Sequence, residues 1–320
     1  MSLIEVRDLE RTFVLRRRSG GLRRAPSTVP AVHDLSFSIE AGEMVGYIGP
    51  NGAGKSTTIK MLTGILVPTS GEIRVAGLEP SVRRTDLARR IGVVFGQRTT
   101  LWWDLPLRDS FGLLQKIYRV PDDRFRRNLD EFLELLDLGP LLDTPVRQLS
   151  LGQRMRGDIA AALLHDPEIL YLDEPTIGLD VISKGRLREF LRTLNAERGT
   201  TLLLTTHDLQ DIEALCRRVI VIDHGTAIFD GPLTDLHRQG GSTRTLVVDL
   251  VDAGPAIEVP GAVAWKVEGP RQWLSFPADA SAAPIVAAVA VAYDVADLSI
   301  QEPAIEDVIR DLYSATEPRP

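Results

Sequence analysis

A glycine-rich turn at residues 49–56 (GPNGAGKS) limits the folds open to this 320-residue chain. It follows the apolar run Met44–Ile48, which predicts a strand, and it precedes a helix expected to start near Lys55. The pattern G-x-x-x-x-G-K-[ST] in this setting is a phosphate-binding loop, whose glycines let backbone N–H groups surround phosphate oxygens. The helix N-terminus adds positive potential. We therefore predict a nucleotide site in which Lys55 reaches the β- and γ-phosphates and Ser56 holds Mg²⁺.

A second apolar run, Ile169–Leu172, ends in two adjacent carboxylates, Asp173 and Glu174. A buried strand that brings Asp173 to its carboxyl end suits a ligand of Mg²⁺ or of its water molecules. Glu174 is placed to polarise the attacking water as a general base. An apolar run followed by Asp-Glu is a weak signal alone, but it becomes strong downstream of a phosphate-binding loop.

The order of the predicted elements indicates an α/β fold followed by a smaller α+β domain. Apolar strands alternate with helices up to about residue 235, which implies a mostly parallel sheet covered on both faces. A linker is predicted at residues 239–243, where the sequence is QGGST. We therefore predict a nucleotide-binding domain at 1–238 and an accessory domain at 239–320, with strands near 245–250, 264–267, 273–276 and 295–300 and helices at 283–292 and 305–313.

Composition is that of a globular protein, at 44% hydrophobic and 25% charged residues. No apolar run approaches the roughly 20 residues that span a bilayer, and Ala283–Ala292 is interpreted as a core helix. Charges at Glu5, Arg7 and Asp8 argue against a signal peptide. Cys216 is the only cysteine, which fits a reducing cytoplasm. Any role at a membrane is therefore expected to come through a partner.

Charge is unevenly distributed along the chain. Residues 241–320 carry twelve acidic and five basic side chains, which argues against nucleic-acid binding there. A basic stretch lies near the N-terminus, at Arg16, Arg17, Arg18, Arg23 and Arg24. It is interpreted first as a solvated surface loop, with contact to anionic lipid headgroups as the alternative.

The run Leu149–Gln153 resembles the signature loop of the ABC ATPase family, and the other motifs follow in that family's order. Gln97 resembles the Q-loop glutamine, Ile177–Asp180 the D-loop, and His207 the switch histidine. Phe13 is similar to the aromatic residue that stacks on adenine. The resemblance covers about residues 3–235. It implies an ABC ATPase cassette with a mostly parallel core sheet, an antiparallel β subdomain and a helical subdomain at about 98–165.

The resemblance also implies a set of site residues. Catalysis is assigned to Glu174, His207, Gln97 and Lys55, and the metal ligands to Ser56, Gln97 and Asp173. ATP contacts are assigned to Phe13, Gly49, Pro50, Asn51, Gly52, Ala53, Gly54, Lys55, Ser56, Thr57, Ser150, Gly152, Gln153 and Asp180. Two positions depart from the family pattern, which usually has glycine at Leu151 and often a small residue at Ile177. Because Ser150 and Gly152 are retained, hydrolysis is expected to persist.

One copy of each motif occurs, so the resemblance implies a head-to-tail dimer with each ATP held between two subunits. The intact Glu174 and His207 favour a homodimer. Trp102 and Trp103 follow Gln97 in the region that receives a permease's coupling helix in this family. On an extended chain one of the two tryptophans would be core, and the other would be exposed unless a partner covers it.

The run from Phe95 to Pro106 resembles drug- and viologen-type exporters, which predicts an ATPase on the cytoplasmic face of the cell membrane, attached through integral permease subunits. The sequence at 298–309 resembles exporter tails and suggests a regulatory or dimerising role. Two alternatives are a soluble ABC ATPase of DNA repair or translation, and an importer ATPase with a regulatory C-terminal domain. The first lacks support because no second cassette, zinc-type cysteine set or basic face is evident. The importer alternative is less favoured, because the tail at 298–309 and the run after Gln97 both resemble those of exporters.

Overall fold

The apolar run Met44–Ile48 forms a strand with the predicted bounds in the computed structural model, and the run predicted at 169–172 forms a strand that extends to Asp173. The structure describes residues 2–18, 24–96, 98–239, 243–277, 280–301, 308–309 and 312–313. The chain divides into two units, residues 1–230 and 231–320. The strands that begin in the first unit are β1 (Ser2–Arg18), β2 (Arg24–Glu40), β3 (Met44–Ile48), β4 (Ser70–Val75), β5 (Ile91–Phe95), β6 (Ile169–Asp173), β7 (Thr201–Thr205), β8 (Arg218–Asp223) and β9 (Thr226–Pro232).

Helices of the first unit cover the sheet that these strands build. They are α1 (Lys55–Leu62), α2 (Arg84–Ala88), α3 (Leu107–Tyr118), α4 (Asp122–Leu135), α5 (Leu151–Leu163), α6 (Val181–Arg198) and α7 (Leu209–Leu215). The central sheet has the order β5-β6-β7-β3-β8-β9, and its strands from β5 to β8 pair in parallel. All of β7 and most of β6 are buried, as expected for parallel strands with both faces covered.

An antiparallel sheet packs beside the central sheet and shares its core. Its order is β2-β1-β4. Side chains from this sheet, including Ile4, Leu35 and Ile39, are fully buried in one cluster with Tyr47 of β3 and Ile59 of α1. The antiparallel sheet therefore packs against β3 and α1, the two elements that flank the phosphate-binding turn. The predicted combination of a parallel core, an antiparallel β part and a helical part is confirmed.

The second unit is an antiparallel sheet with a helix against one face. It begins with α8 (Leu233–Gln239), followed by β10 (Thr243–Leu250), β11 (Glu258–Val259), β12 (Ala262–Glu268), β13 (Arg271–Pro277), α9 (Ala282–Ala292) and β14 (Val295–Gln301). The strand order is β11-β12-β13-β10-β14. Leu246, Leu274 and Phe276 of the sheet pack with Ile285 and Val289 of α9. The exact domain boundary near 238 stays a prediction.

The arginine-rich stretch was predicted to be a surface loop, and this prediction is wrong for the arginines that lie in strands. Arg16, Arg17 and Arg18 belong to β1, and Arg24 begins β2, because the two strands stay paired to Arg18↔Arg24. The sequence at 4–9 and at 31–39 predicts two short strands, and in the structure both are parts of one long hairpin. Arg23 lies outside the described residues.

Two predicted helices differ from the structure, one in its length and the other in how much of its apolar surface is buried. The pattern at 121–142 predicts one helix, but α4 ends at Leu135, whose side chain is 43% exposed. The chain leaves the helix there because Asp137 has a φ of 49°, and a 3-10 turn follows at Gly139–Leu141. Helix α9 forms as predicted, but only one of its faces is core, and Val291 is 89% exposed.

The predicted linker and C-terminal helix fall largely outside the described residues. This applies to residues 240–242 and to most of 305–313. Within the described ranges, no helix is both long and apolar enough to cross a bilayer.

Candidate active site

The phosphate-binding loop connects β3 to α1 through a backbone that only glycine adopts without strain. Gly54, at the N-cap of α1, has a φ of 105°. A Cβ at this position would also lie 2.6 Å from the carbonyl oxygen of Ala31 in β2. Loop, helix N-terminus and β2 are therefore in close contact, and a larger residue than glycine does not fit at this position.

Lys55 lies buried inside this turn. Its ammonium group donates to the carbonyl oxygens of Gly49 at 2.5 Å and Pro50 at 3.1 Å. Burial lowers the pKa of Lys55, while the nearby carboxylates of Glu174 and Asp173 act to raise it. The cation is thus held over the loop, facing the acidic end of β6.

Asp173 is held by hydroxyl groups from two neighbouring elements. Ser56 donates to Oδ2 of Asp173 at 3.2 Å, and Thr205 donates to Oδ1 at 2.6 Å. Sequence reasoning missed Thr205, although the parallel register places it beside Asp173 at the end of β7. A hydroxyl and a carboxylate at this separation are the hard oxygen donors that Mg²⁺ prefers. Ser56 and Asp173 therefore fit the predicted magnesium site.

Glu174 and His207 meet directly across the ends of β6 and β7. Nε2 of His207 lies 2.8 Å from Oε1 of Glu174. Glu174 has a φ of 57°, and its backbone N–H donates to the carbonyl oxygen of Thr205 at 2.9 Å. A non-glycine residue in this left-handed region is uncommon and often marks a functional site. The turn directs the Glu174 side chain toward His207.

Glu174 and Asp173 border a cavity of about 320 Å³. Its walls include Ser56, Asp173 and Glu174 together with Lys60 and Arg98. Arg98 was missed from the sequence, where it is merely the residue after Gln97. Gln97 itself lies outside the described residues, so its predicted role stays a prediction. The cavity has the volume of a small-molecule site and has both cations and carboxylates on its walls.

A network of ion pairs supports the loop that carries His207. Lys184 of α6 donates to Asp208 at 2.5 Å, and Arg188 donates to the fully buried Asp211 at 2.6 Å. Thr176 also donates to Asp211, at 2.6 Å. Burial alone would raise the pKa of Asp208, but the hydrogen bond and charge of Lys184, with the charge of Arg188, lower it. The loop after β7 is therefore fastened to α6.

A family model described as ABC transporter matches residues 32–177. The daunorubicin resistance ATP-binding protein DrrA3 of Streptomyces coeruleorubidus is 32% identical to this chain over 288 residues, 88% of this chain and 90% of DrrA3. This chain belongs to the ABC transporter ATP-binding proteins. The Nod factor export ATP-binding protein I of Paraburkholderia xenovorans is 42% identical over 62% of this chain and 65% of its own length. A solved dimeric ATP-binding cassette, in a post-hydrolysis state with ADP and Pi, has a TM-score of 0.63 at 26% identity, over 72% of this chain and 98% of that one.

The signature loop of this ABC protein is organised around the start of α5. Ser150 accepts from the backbone N–H of Gln153 at 3.2 Å, and the Gln153 side chain accepts from the N–H of Ser150 at 2.8 Å. This reciprocal capping box holds the helix N-terminus. Among the described residues, no hydrogen bond joins Ser150, Gly152 or Gln153 to the phosphate-binding loop. The structure brings the phosphate loop, Asp173, Glu174 and His207 together, and the signature loop forms a separate feature.

Asp180 and Phe13 also occupy defined positions. Asp180 is the N-cap of α6 and accepts from the N–H of Ser183 at 2.9 Å. Phe13 pairs with Val29 in the β1–β2 hairpin, and the Arg11 guanidinium lies 4.7 Å from its ring centroid. The adenine contact of Phe13 and the nucleotide contact of Asp180 stay predictions.

Neither tryptophan after the Q-loop is a core residue, so that prediction is wrong. Trp102 is 37% and Trp103 is 50% exposed. The prediction assumed an extended chain, but the segment turns, and the N–H of Leu105 donates to the carbonyl oxygen of Trp102. The Arg154 guanidinium covers part of Trp103, at 5.5 Å from a ring centroid. Both indoles are therefore partly exposed.

Proposed function

We propose that this chain is the ATPase subunit of an exporter, and that it hydrolyses ATP with Mg²⁺ at the cavity beside α1. The observation that carries this proposal is the convergence of Ser56, Asp173, Glu174 and His207 at the carboxyl ends of β6 and β7. Parallel sheets bind ligands at this edge. Phosphoryl transfer asks mainly for positioning and charge neutralisation, which these groups supply.

Each group has a distinct task in the proposed reaction. Lys55 neutralises charge on the β- and γ-phosphates, while Ser56 and Asp173 hold Mg²⁺, which adds further charge neutralisation when bound. Glu174 orients water and accepts its proton. His207, at 2.8 Å from Glu174, keeps that carboxylate in position and also faces the γ-phosphate. Gln97 completes the metal and water contacts.

A second copy of the chain completes the site in this proposal. Ser150, Gly152 and Gln153 carry nucleotide-binding chemistry but form a feature separate from their own phosphate loop. A head-to-tail homodimer places them against the ATP of the other subunit. Contacts to the γ-phosphate then exist only in the closed dimer, so hydrolysis lets the dimer open.

The exposed tryptophans support coupling to an integral membrane permease. Two partly exposed indoles in the short segment that follows the cavity residue Arg98 are costly to leave in water, and aromatic residues are common where proteins bind each other. Similar proteins include a drug resistance protein and a Nod factor export protein. We propose export as the activity, at the cytoplasmic face of the membrane, with no nucleic-acid partner.

The test is recovery of the permease with the Glu174→Gln protein, a variant that we expect to bind ATP but not hydrolyse it. Tagged protein is purified from detergent-solubilised membranes in ATP and Mg²⁺, and its partners are identified by mass spectrometry. A multi-helix membrane protein is expected in stoichiometric amount. Recovery alone, or with nucleic-acid machinery, would contradict the exporter proposal.

Two further variants make the test specific to the surface. Replacing both Trp102 and Trp103 with alanine should abolish recovery of the permease while ATP binding is retained. Trp265→Ala is the matched control, because Trp265 is 59% exposed but lies in the second unit. Equal loss in both would point to general destabilisation rather than to a docking surface.

A further inference from the structure

Two loops of this chain interlock through a pair of leucine–glycine contacts. The signature loop comprises residues 149–153 and the D-loop residues 177–180. The Leu151 side chain lies directly on Gly178, so that a Cβ added there would overlap its Cδ2 atom. In the reverse direction, a Cβ added at Gly152 would lie 3.0 Å from Cδ2 of Leu179. Each loop therefore presents a leucine to the glycine of the other.

The D-loop is anchored at both of its ends. At its start, the N–H of Ile177 donates to the carbonyl oxygen of Glu174 at 3.3 Å, and the preceding Thr176 is bonded to the buried Asp211. At its end, Asp180 caps α6 and accepts from the N–H and the hydroxyl of Ser183. A loop held in this way cannot shift without disturbing Glu174 or α6.

The signature loop is anchored independently by the capping box between Ser150 and Gln153. Leu151 stands between these two residues and is 36% exposed. Its contact with Gly178 is thus a direct physical link between Ser150 and the segment that begins at Glu174.

We propose that Leu151 is a positioning residue for ATP hydrolysis. Its side chain holds the signature loop against the D-loop of the same subunit, so that the position of Ser150 is coupled to that of the Glu174–His207 pair. This inference rests on the head-to-tail dimer of the proposed function, in which Ser150 serves one ATP and Glu174 the other. Leu151 then links the two sites of the dimer through a contact inside each subunit.

The first test compares Leu151→Ala with Leu151→Met and Leu135→Ala. Alanine removes the atoms that lie on Gly178, whereas methionine keeps an apolar side chain of similar size. Leu135 is a matched control, since it is also a partly exposed leucine at a helix end. We expect kcat to fall about tenfold in Leu151→Ala, with little change in affinity for a fluorescent ADP analogue or in Tm. Leu151→Met should recover most of kcat, and Leu135→Ala should keep it.

The second test is a double-mutant cycle with Gly178→Ala. The new methyl group would overlap Leu151, and a φ of 71° disfavours alanine in addition. The backbone strain is the same in the double variant Leu151→Ala/Gly178→Ala, but the overlap is relieved. The double variant should therefore be more active than Gly178→Ala alone, a coupling that independent sites do not show.

The outcomes separate this inference from the proposed function. Absence of ATPase activity in the wild type, or its survival in Glu174→Gln, would overturn the proposed function and the inference with it. If hydrolysis and its loss in Glu174→Gln are as proposed, wild-type kcat in Leu151→Ala overturns the inference alone. The inference is also overturned if the fall in kcat comes with a clear loss of ADP affinity or a clearly lower Tm, because the substitution then acts by disturbing the folded structure.

Discussion

Asp173 illustrates how much of this site depends on single hydrogen bonds. Its two carboxylate oxygens are bound by Ser56 and Thr205, which come from α1 and β7. Thr205 is fully buried, so its hydroxyl has no access to water as an alternative partner. The direction of the carboxylate, and with it the proposed Mg²⁺ site, is therefore set by a residue that touches no nucleotide in our proposal.

Replacing Thr205 with valine should impair the use of Mg²⁺ without unfolding the protein. Valine has the same shape but lacks the hydroxyl that donates to Asp173. We expect the Mg²⁺ concentration for half-maximal ATPase activity to rise about tenfold, which corresponds to about 1.4 kcal/mol and lies within the roughly 1–3 kcal/mol cost of a lost partner at a buried group. Titration of activity with Mg²⁺ measures this.

The control for that prediction is Thr205→Ser, which keeps the hydroxyl and removes only a methyl group. It should need nearly the wild-type Mg²⁺ concentration. An unchanged Mg²⁺ requirement in Thr205→Val would show that Asp173 keeps its position without this hydrogen bond.

At the scale of elements, the site depends on how helices are joined to strand ends. Helix α6 carries Lys184 and Arg188 on the side that faces the start of α7, where they pair with Asp208 and Asp211. Asp208 is also the N-cap of α7 and accepts from the N–H of Gln210. One residue thus ends the His207 loop, starts the next helix and binds α6.

This arrangement predicts a pH dependence of stability. The folded-state pKa of Asp208 is lowered, so its contribution is present above the unfolded pKa of about 3.9 and is lost as pH falls through the folded value. The difference in Tm between wild type and Asp208→Asn should therefore be largest near pH 6 and shrink below about pH 4. Thermal unfolding across this range measures it.

Asp143→Asn provides the comparison for the pH series. Asp143 pairs with Arg108, but its side chain is 81% exposed, and exposed pairs contribute little. Its Tm should stay close to that of the wild type at each pH. A constant gap between wild type and Asp208→Asn down to pH 3 would argue against the lowered pKa.

At the scale of the whole molecule, each unit has a hydrophobic core of its own. The first unit's core joins the antiparallel sheet, β3 and α1. The core of the second unit joins its sheet to α9. The phosphate loop, Asp173, Glu174 and His207 all lie in the first unit. The second unit, with its excess of acidic residues, is proposed to regulate or stabilise the dimer.

A chain ending at residue 238 should therefore bind ATP with an affinity within about twofold of the full-length protein. The loss of the second unit should instead weaken dimer formation or regulation. Equilibrium binding of a fluorescent ATP analogue measures the ATP affinity, and light scattering in the Glu174→Gln background measures dimer formation. Full-length Lys55→Ala is the negative control for binding. A folded fragment without ATP affinity would place the domain boundary elsewhere.

The sequence by itself determined the elements and residues that depend on neighbours along the chain. The turn at 49–56, the strand that ends at Asp173 and the loop that carries His207 each combine a short apolar run with the residues that follow it. Such local patterns suffice because a buried strand and a glycine-rich turn restrict the backbone directly. The start of α1 at Lys55 and the bounds of β3 were predicted correctly for this reason.

Only the tertiary structure decided which side chains meet across elements. Thr205 reaches Asp173 through the register of β6 and β7, Leu151 reaches Gly178 through the packing of two loops, and Arg98 reaches the cavity wall. The exposure of both Trp102 and Trp103 follows from a turn that alternation along a strand could not predict. The contacts of Thr205, Leu151 and Arg98 join residues far apart in sequence, and a shift of one residue in register or a change of loop path would remove them without altering any local pattern.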